Sequence, residues 1–169
     1  MSKISRVLVL GSTGLVGHGI SSYLIKKNFY VYGTSNSKKV KSTNSNFKLY
    51  QNINLTDPKS FSEIKKIIKR NKIQAVINSA ALIPNKLNYK KKNFYERSII
   101  INLLTYFKLY KIIKEHKIKY LINISTPNVE EINYKDIDIH HNFYIYTKYL
   151  AEKYLSNMQK LNLNIVSLR

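Results

Sequence analysis

Two sets of residues in this sequence have the types and spacing to do chemistry. The first is Gly11, Gly14 and Gly17, set in the run Val-Leu-Val-Leu-Gly-Ser-Thr-Gly-Leu-Val-Gly that begins at Val7. A chain that turns at Gly11 and opens a helix near Leu15 aims free backbone N–H groups at the space before that helix. Gly14 then lets a pyrophosphate approach them, and Gly17 lets the helix pack close to the strand. Ser12, Thr13, Leu15 and Val16 complete the turn. The spacing is G-x-x-G-x-x-G, one residue wider than the usual dinucleotide fingerprint. A ligand-free glycine turn is the bland reading, and the strand-turn-helix setting weighs against it. The second set is Tyr144 and Lys148, at i and i+4 and so on one face of a helix. A phenol of ordinary pKa, about 10, is a weak base near neutrality, and an ammonium one turn away lowers that value.

These groups need a sheet to hold them. The Val7 run is apolar without alternation, as in a strand buried on both faces. Leu15, Val16, Ile20, Tyr23, Leu24 and Lys27 follow helical spacing, with Asn28 as a C-terminal cap. Further strands are predicted over 29–34, 47–53, 74–78, 119–124 and 163–168. Asp57 and Pro58 read as the cap and first turn of a helix whose buried stripe is Phe61, Ile64, Ile67 and Ile68. Longer helices are predicted over 97–115 and from 144 to about 161, with a lysine-rich loop over 82–95. Alternating strands and helices predict a single α/β domain over residues 1–169. Its core is a doubly wound parallel sheet of Rossmann type, three-layered (α/β/α), with six strands in the order 3-2-1-4-5-6.

In such a sheet the end of the second strand selects the cofactor, because an acid there binds the ribose 2′-hydroxyl of NAD. Here that end reads Gly33-Thr34-Ser35-Asn36-Ser37-Lys38-Lys39, without an acid. Ser35, Asn36 and Lys38 suit a 2′-phosphate, so NADP is expected ahead of NAD; a solvated polar loop is the plainer account.

The net charge is +20, nearly all from lysine, with arginine only at 6, 70, 97 and 169. The lysines are spread along the chain, as on solvated helix faces, so no nucleic-acid partner is expected; the positive field favours phosphate-bearing ligands. Cysteine is absent, which excludes disulfides and thiolate chemistry, and no metal site is expected. No apolar run has membrane-spanning length and Met1–Arg6 leads straight into the first strand, so a cytoplasmic protein is expected.

The glycine spacing resembles the short-chain dehydrogenase/reductase superfamily, and later residues narrow this to its extended branch of nucleotide-sugar epimerases, dehydratases and reductases. The likeness runs from the glycine turn to Arg169. It implies that Asn54, where the family has an Asp, and Leu55 meet the adenine, and that Ser79, Ala80 and Ala81 lie against the cofactor. Tyr144-x-x-Thr147-Lys148-x-x-x-Glu152 is similar to the family's Tyr-x-x-Ser/Thr-Lys-x-x-x-Glu run. Other Tyr-x-x-x-Lys pairs, at Tyr23, Tyr110 and Tyr149, lack that setting after a strand ending in Ser-Thr. Tyr144 is then the proton shuttle. Lys148 tunes the phenol, helped by the oxidised nicotinamide's charge, and holds the nicotinamide ribose; both residues touch the cofactor. Ser125, or Thr126 in its place, orients the substrate oxygen. Asn102 is either a proton-relay residue or a buried backbone cap.

Pro127 and Asn128 stand where sugar dehydratases carry an Asp-Glu acid–base pair, which disfavours dehydration. Epimerase-like and dTDP-4-dehydrorhamnose-reductase-like members both fit. The segment between Ser125 and Tyr144 is short for the family. The resemblance also implies a smaller substrate lobe after the sixth strand, so this sequence is expected to be a fragment or truncated form with little turnover of its own. The contrasting reading is an NADP(H)-binding module without catalysis. A homodimer is expected through a four-helix bundle built from the helices near Arg97 and Tyr144.

Overall fold

A computed structural model describes residues 5–37, 45–85, 90, 92–130, 139–159 and 163–169. Lys38, Lys39 and much of the segment between Ser125 and Tyr144 lie outside these residues. The strands are β1 (Arg6–Leu10), β2 (Tyr30–Thr34), β3 (Phe47–Tyr50), β4 (Ala75–Asn78), β5 (Tyr120–Ile124) and β6 (Asn164–Leu168). They form one six-stranded sheet in the order β3-β2-β1-β4-β5-β6, and every pairing is parallel. This is the doubly wound order expected from the sequence, with the reversal point between β1 and β4.

The helices are α1 (Leu15–Lys26), α2 (Pro58–Asn71), α3 (Phe94–Ile99), α4 (Thr105–Glu115) and α5 (Ile139–Gln159). The central strands carry the burial pattern that their composition demanded: Leu8, Val9, Leu10 and Val76 have no exposure at all. One face of the sheet packs on α2, α4 and α5 through Ile64, Ile68, Leu109, Ile113, Ala151 and Leu155. On the other face Val7, Val9, Val31 and Ile77 meet Ile20, Leu24 and Ile25 of α1. Each fully buried Val, Leu or Ile among these contributes about 1.5–3 kcal/mol, which sets the sheet rigidly behind its loops.

Local signals landed where they were read. Asp57 caps α2 by accepting from Lys59 N at 2.9 Å, with Pro58 as the first helical residue. Asn28 takes φ +61 after α1. The third strand is shorter than 47–53, because the chain leaves β2 after Tyr50. The helix predicted over 97–115 starts earlier, at Phe94, and is broken by a π-helical turn at Ile100–Leu104. The wider turn lets Thr105 Oγ1 donate to Ile100 O at 3.0 Å and sets Asn102 fully inside.

Candidate functional site

The glycine turn is held from three sides. Gly11 has φ +74, and a Cβ there would lie 2.8 Å from Ala80 Cα. A Cβ on Gly17 would lie 2.2 Å from Gly11 O and 2.6 Å from Ser79 Oγ. Ser12 N and Ser12 Oγ both donate to Thr34 O at 3.1 Å, and Gly11 N donates to Thr34 Oγ1 at 3.3 Å. Ser79 Oγ closes the other side by donating to Leu10 O at 2.7 Å. The turn is therefore fixed before any ligand arrives, and Thr13, Gly14, Leu15 and Val16 remain exposed at the mouth of α1.

Beside it lies a cavity of about 290 Å³ at the carboxyl ends of β1, β2 and β4. Of the expected cofactor contacts, Gly11, Thr13, Gly14, Ser35, Asn36, Asn54, Leu55, Ser79, Ala80 and Ala81 line it, whereas Ser12, Leu15, Val16 and Gly17 do not. Thr34, Ile53, Leu82, Arg97 and Ile101 line it too, and the sequence reading missed them. Thr34 was readable as the strand end facing the turn; Arg97 carried no local signal. Ser35 is buried, with its Oγ 3.0 Å from Thr13 Oγ1 and accepting from Ser37 N at 3.0 Å. Asn54 is also tied into a local turn. Its Oδ1 accepts from Thr56 N at 3.1 Å and Thr56 Oγ1 at 2.9 Å, a turn that leads into α2. Both carbonyl lone pairs are engaged, so the side-chain NH2 is what it can offer an adenine.

Tyr144, Lys148 and Ser125 do not line this cavity. They gather instead around the end of β5. Lys148 is 1% exposed, and its Nζ donates to Ile124 O at 2.5 Å. Tyr144, on the same face of α5, packs against Val129 and Ile145. Burial pushes the Tyr144 phenol above its ordinary pKa, opposite to the expected lowering. The cause is that desolvation acts on the phenol while the Lys148 ammonium is engaged with a backbone carbonyl. Burial also lowers the Lys148 pKa to about 8, with Glu152 acting against the shift.

Ser125 N donates to Leu168 O at 2.7 Å, while Ser125 Oγ is buried without a hydrogen-bond partner among the described residues. Glu152 accepts from Arg169 at 2.8 and 3.3 Å, a forked ion pair one turn beyond Lys148. Burial would raise the Glu152 carboxyl, but Arg169, the Ser125 hydroxyl (from outside hydrogen-bond geometry) and Lys148 hold it below its ordinary value. Asn102 bridges elements: it donates to Leu82 O at 3.1 Å and Thr147 Oγ1 at 3.2 Å, and its Oδ1 accepts from Leu82 N at 2.8 Å. That arrangement fits the backbone-capping account and ties the segment after β4 to α5. Among the described residues, no three His, Asp or Glu side chains gather as metal ligands, and no helix is long and apolar enough to cross a membrane.

A doubly wound parallel sheet with a glycine turn and a cavity at its reversal point defines the dinucleotide-binding class of α/β domains. The profile of the NAD dependent epimerase/dehydratase family matches residues 7–169, and the chain belongs to that family. Solved structures share the fold. The UDP-glucose 4-epimerase of Thermotoga maritima, solved with UDP-glucose, superposes with a TM-score of 0.77 at 21% identity, over 97% of this chain and 54% of the epimerase. WbmH of Bordetella bronchiseptica, solved with NAD+, gives 0.71 at 17% identity over 99% and 56%. A short-chain dehydrogenase of Leptospira borgpetersenii with bound NAD+ gives 0.78 at 17% identity over 98% and 70%. The chain thus spans about half the length of the first two. A comparison with the curated proteins returned no match.

Proposed function

We propose that this chain is the dinucleotide-binding and proton-relay half of a nicotinamide-dependent epimerase or reductase acting on a nucleotide-activated sugar. The observation that carries the reading is the pre-closed glycine turn beside its cavity, where added Cβ atoms would collide with backbone. The residues fit a dinucleotide. The turn from Gly11 to Gly17 receives the diphosphate, Leu55 and the Asn54 amide border the adenine, and Ser79–Ala81 give the flat small-residue wall. Bound nicotinamide supplies the hydride acceptor or donor. Tyr144 moves the proton at the substrate hydroxyl, Lys148 supports it and holds a ribose, and Ser125 or Thr126 orients the substrate oxygen. The substrate class is supported by the family and by the UDP-glucose that the Thermotoga maritima epimerase was solved with.

Replacing Tyr144 by Phe removes only a hydroxyl. In the active form of the protein it is expected to lower the rate of hydride transfer by about 10²–10⁴-fold while cofactor affinity stays within a factor of two or so. Retained turnover in Tyr144→Phe would exclude the relay role. A binding module without catalysis is the second reading, favoured by Tyr144, Lys148 and Ser125 lying outside the cavity. Bound dinucleotide with no turnover on any sugar nucleotide, in the full-length protein, would select it.

NADP(H) is proposed as the preferred cofactor, although the relatives named above were solved with NAD+ or a sugar nucleotide. No carboxylate lines the cavity among the described residues, so nothing there repels a 2′-phosphate. Ser35→Asp is expected to shift the NADP(H)/NAD(H) affinity ratio toward NAD(H) by about tenfold or more, through like-charge repulsion. Direct titration of both cofactors checks this, and an unchanged ratio would count against it.

The homodimer is also proposed. Leu104, Phe107 and Tyr146 are 40%, 42% and 46% exposed on the helices expected to pair. Sedimentation at tens of micromolar should report a dimer; a monomer there would oppose it.

A further inference from the structure

Granted the dinucleotide site proposed above, we infer that the Arg97 guanidinium is the anion contact of that site and binds a phosphate group of the nucleotide. Arg97 stands on α3, far in sequence from the glycine turn, yet it lines the same cavity as Gly11, Gly14 and Ser35. It is the one charged side chain among the described residues that line this cavity, and no carboxylate accompanies it. It is partly buried, and its guanidinium has no hydrogen-bond, ion-pair or ring partner among the described residues. By contrast Arg169 is committed to Glu152.

A partly desolvated guanidinium with five unused donors carries a desolvation cost that an anion relieves. Its planar fork matches phosphate oxygens two at a time, which a lysine ammonium does not reproduce. Thr13 and Gly14, at the N-terminus of α1, line the same cavity, so the ligand that suits both the guanidinium and the helix N-terminus is a phosphate ester. Two phosphates of a dinucleotide qualify, the bridging diphosphate and a ribose 2′-phosphate, and they are separable by experiment.

Wild type and Arg97→Met are titrated calorimetrically with adenosine, adenosine 5′-diphosphate and adenosine 2′-phosphate 5′-diphosphate, at low and high salt. The substitution is expected to weaken phosphate-bearing nucleotides by roughly 10- to 100-fold and to leave adenosine unchanged, which also shows that the variant is folded. Arg97→Lys is expected to fall between the two. Salt should weaken binding to wild type more steeply than to Arg97→Met. Equal losses on both nucleotides assign the diphosphate; a loss confined to the 2′-phosphorylated one assigns the 2′-phosphate. No loss on either, or an equal loss on adenosine, overturns the role of Arg97 while the dinucleotide site stands. A wild type that binds none of the three overturns the dinucleotide site itself, and the role of Arg97 with it.

Discussion

Gly17→Ala is expected to lower the melting temperature sharply, while Gly19→Ala, two residues on in the same helix, is expected to raise it. A Cβ at position 17 would lie 2.2 Å from Gly11 O, 2.9 Å from Gly11 C and 2.6 Å from Ser79 Oγ. Two of these atoms are backbone of the turn itself, so relief requires α1 to move off β1. Overpacking costs about 1–3 kcal/mol when flexible side chains can yield, and a rigid backbone neighbour puts this site at or above that upper end. For a domain of this size about 3 kcal/mol corresponds to roughly 6–12 °C. At position 19 nothing lies within 4 Å of the added atom, so only the helix propensity changes. That change favours alanine by about 1 kcal/mol. Thermal melts of the two variants beside wild type check the pair. If both moved the melting temperature the same way, the close packing of α1 on the turn would be wrong. Gly17→Ala should also weaken adenosine diphosphate, since displacing α1 displaces the N–H groups before it.

The contrast between these two glycines shows what was legible in the sequence. Gly17 was readable because a strand, a turn and a helix followed one another at fixed spacing, all within eleven residues. The same locality made β1, the Asp57 cap and the Phe61–Ile68 stripe readable. The π-helical turn was not, because Ile-Ile-Asn-Leu-Leu is an ordinary helical stretch. Its cause lies in partners 20 and 45 residues away, Leu82 and Thr147, which Asn102 must reach. Arg97 was invisible for a related reason: nothing near it in sequence says that its helix faces the glycine turn. Asn54 was read as an adenine contact from its position, and its turn with Thr56 is a side-chain choice that position alone does not settle. The direction of the Tyr144 shift in the ligand-free protein was not legible, because spacing gives proximity to Lys148 but not desolvation.

Lys148→Met is expected to stabilise the folded chain near pH 7 and to weaken dinucleotide binding at the same time. The ammonium is 1% exposed and has a pKa lowered from 10.5 to about 8 by burial. Because the folded-state value is the lower one, the unfolded chain holds the extra proton between pH 8 and 10.5, and stability rises with pH across that window. Below about pH 8 the cost is fully present, on the order of 3 kcal/mol; above 10.5 both states are neutral and it is gone. Methionine fills a similar volume without charge but leaves Ile124 O without the donor it has now, a loss of about 1 kcal/mol. The net expectation is a gain of about 2 kcal/mol at pH 7 that shrinks through pH 9 and turns into a loss of about 1 kcal/mol by pH 10.5. Comparing the two proteins at each pH cancels the other titrations, including Tyr106, whose buried phenol is raised in the fold and makes stability fall above pH 10 in both. Urea midpoints of wild type and Lys148→Met at four pH values measure the difference. A difference that did not change with pH would show that the buried ammonium carries no such cost. A stabilised variant with unaltered nucleotide affinity would show instead that Lys148 is a structural burden with no part in binding. Stability gained and binding lost in one substitution is the signature of a charge kept inside the fold for a ligand.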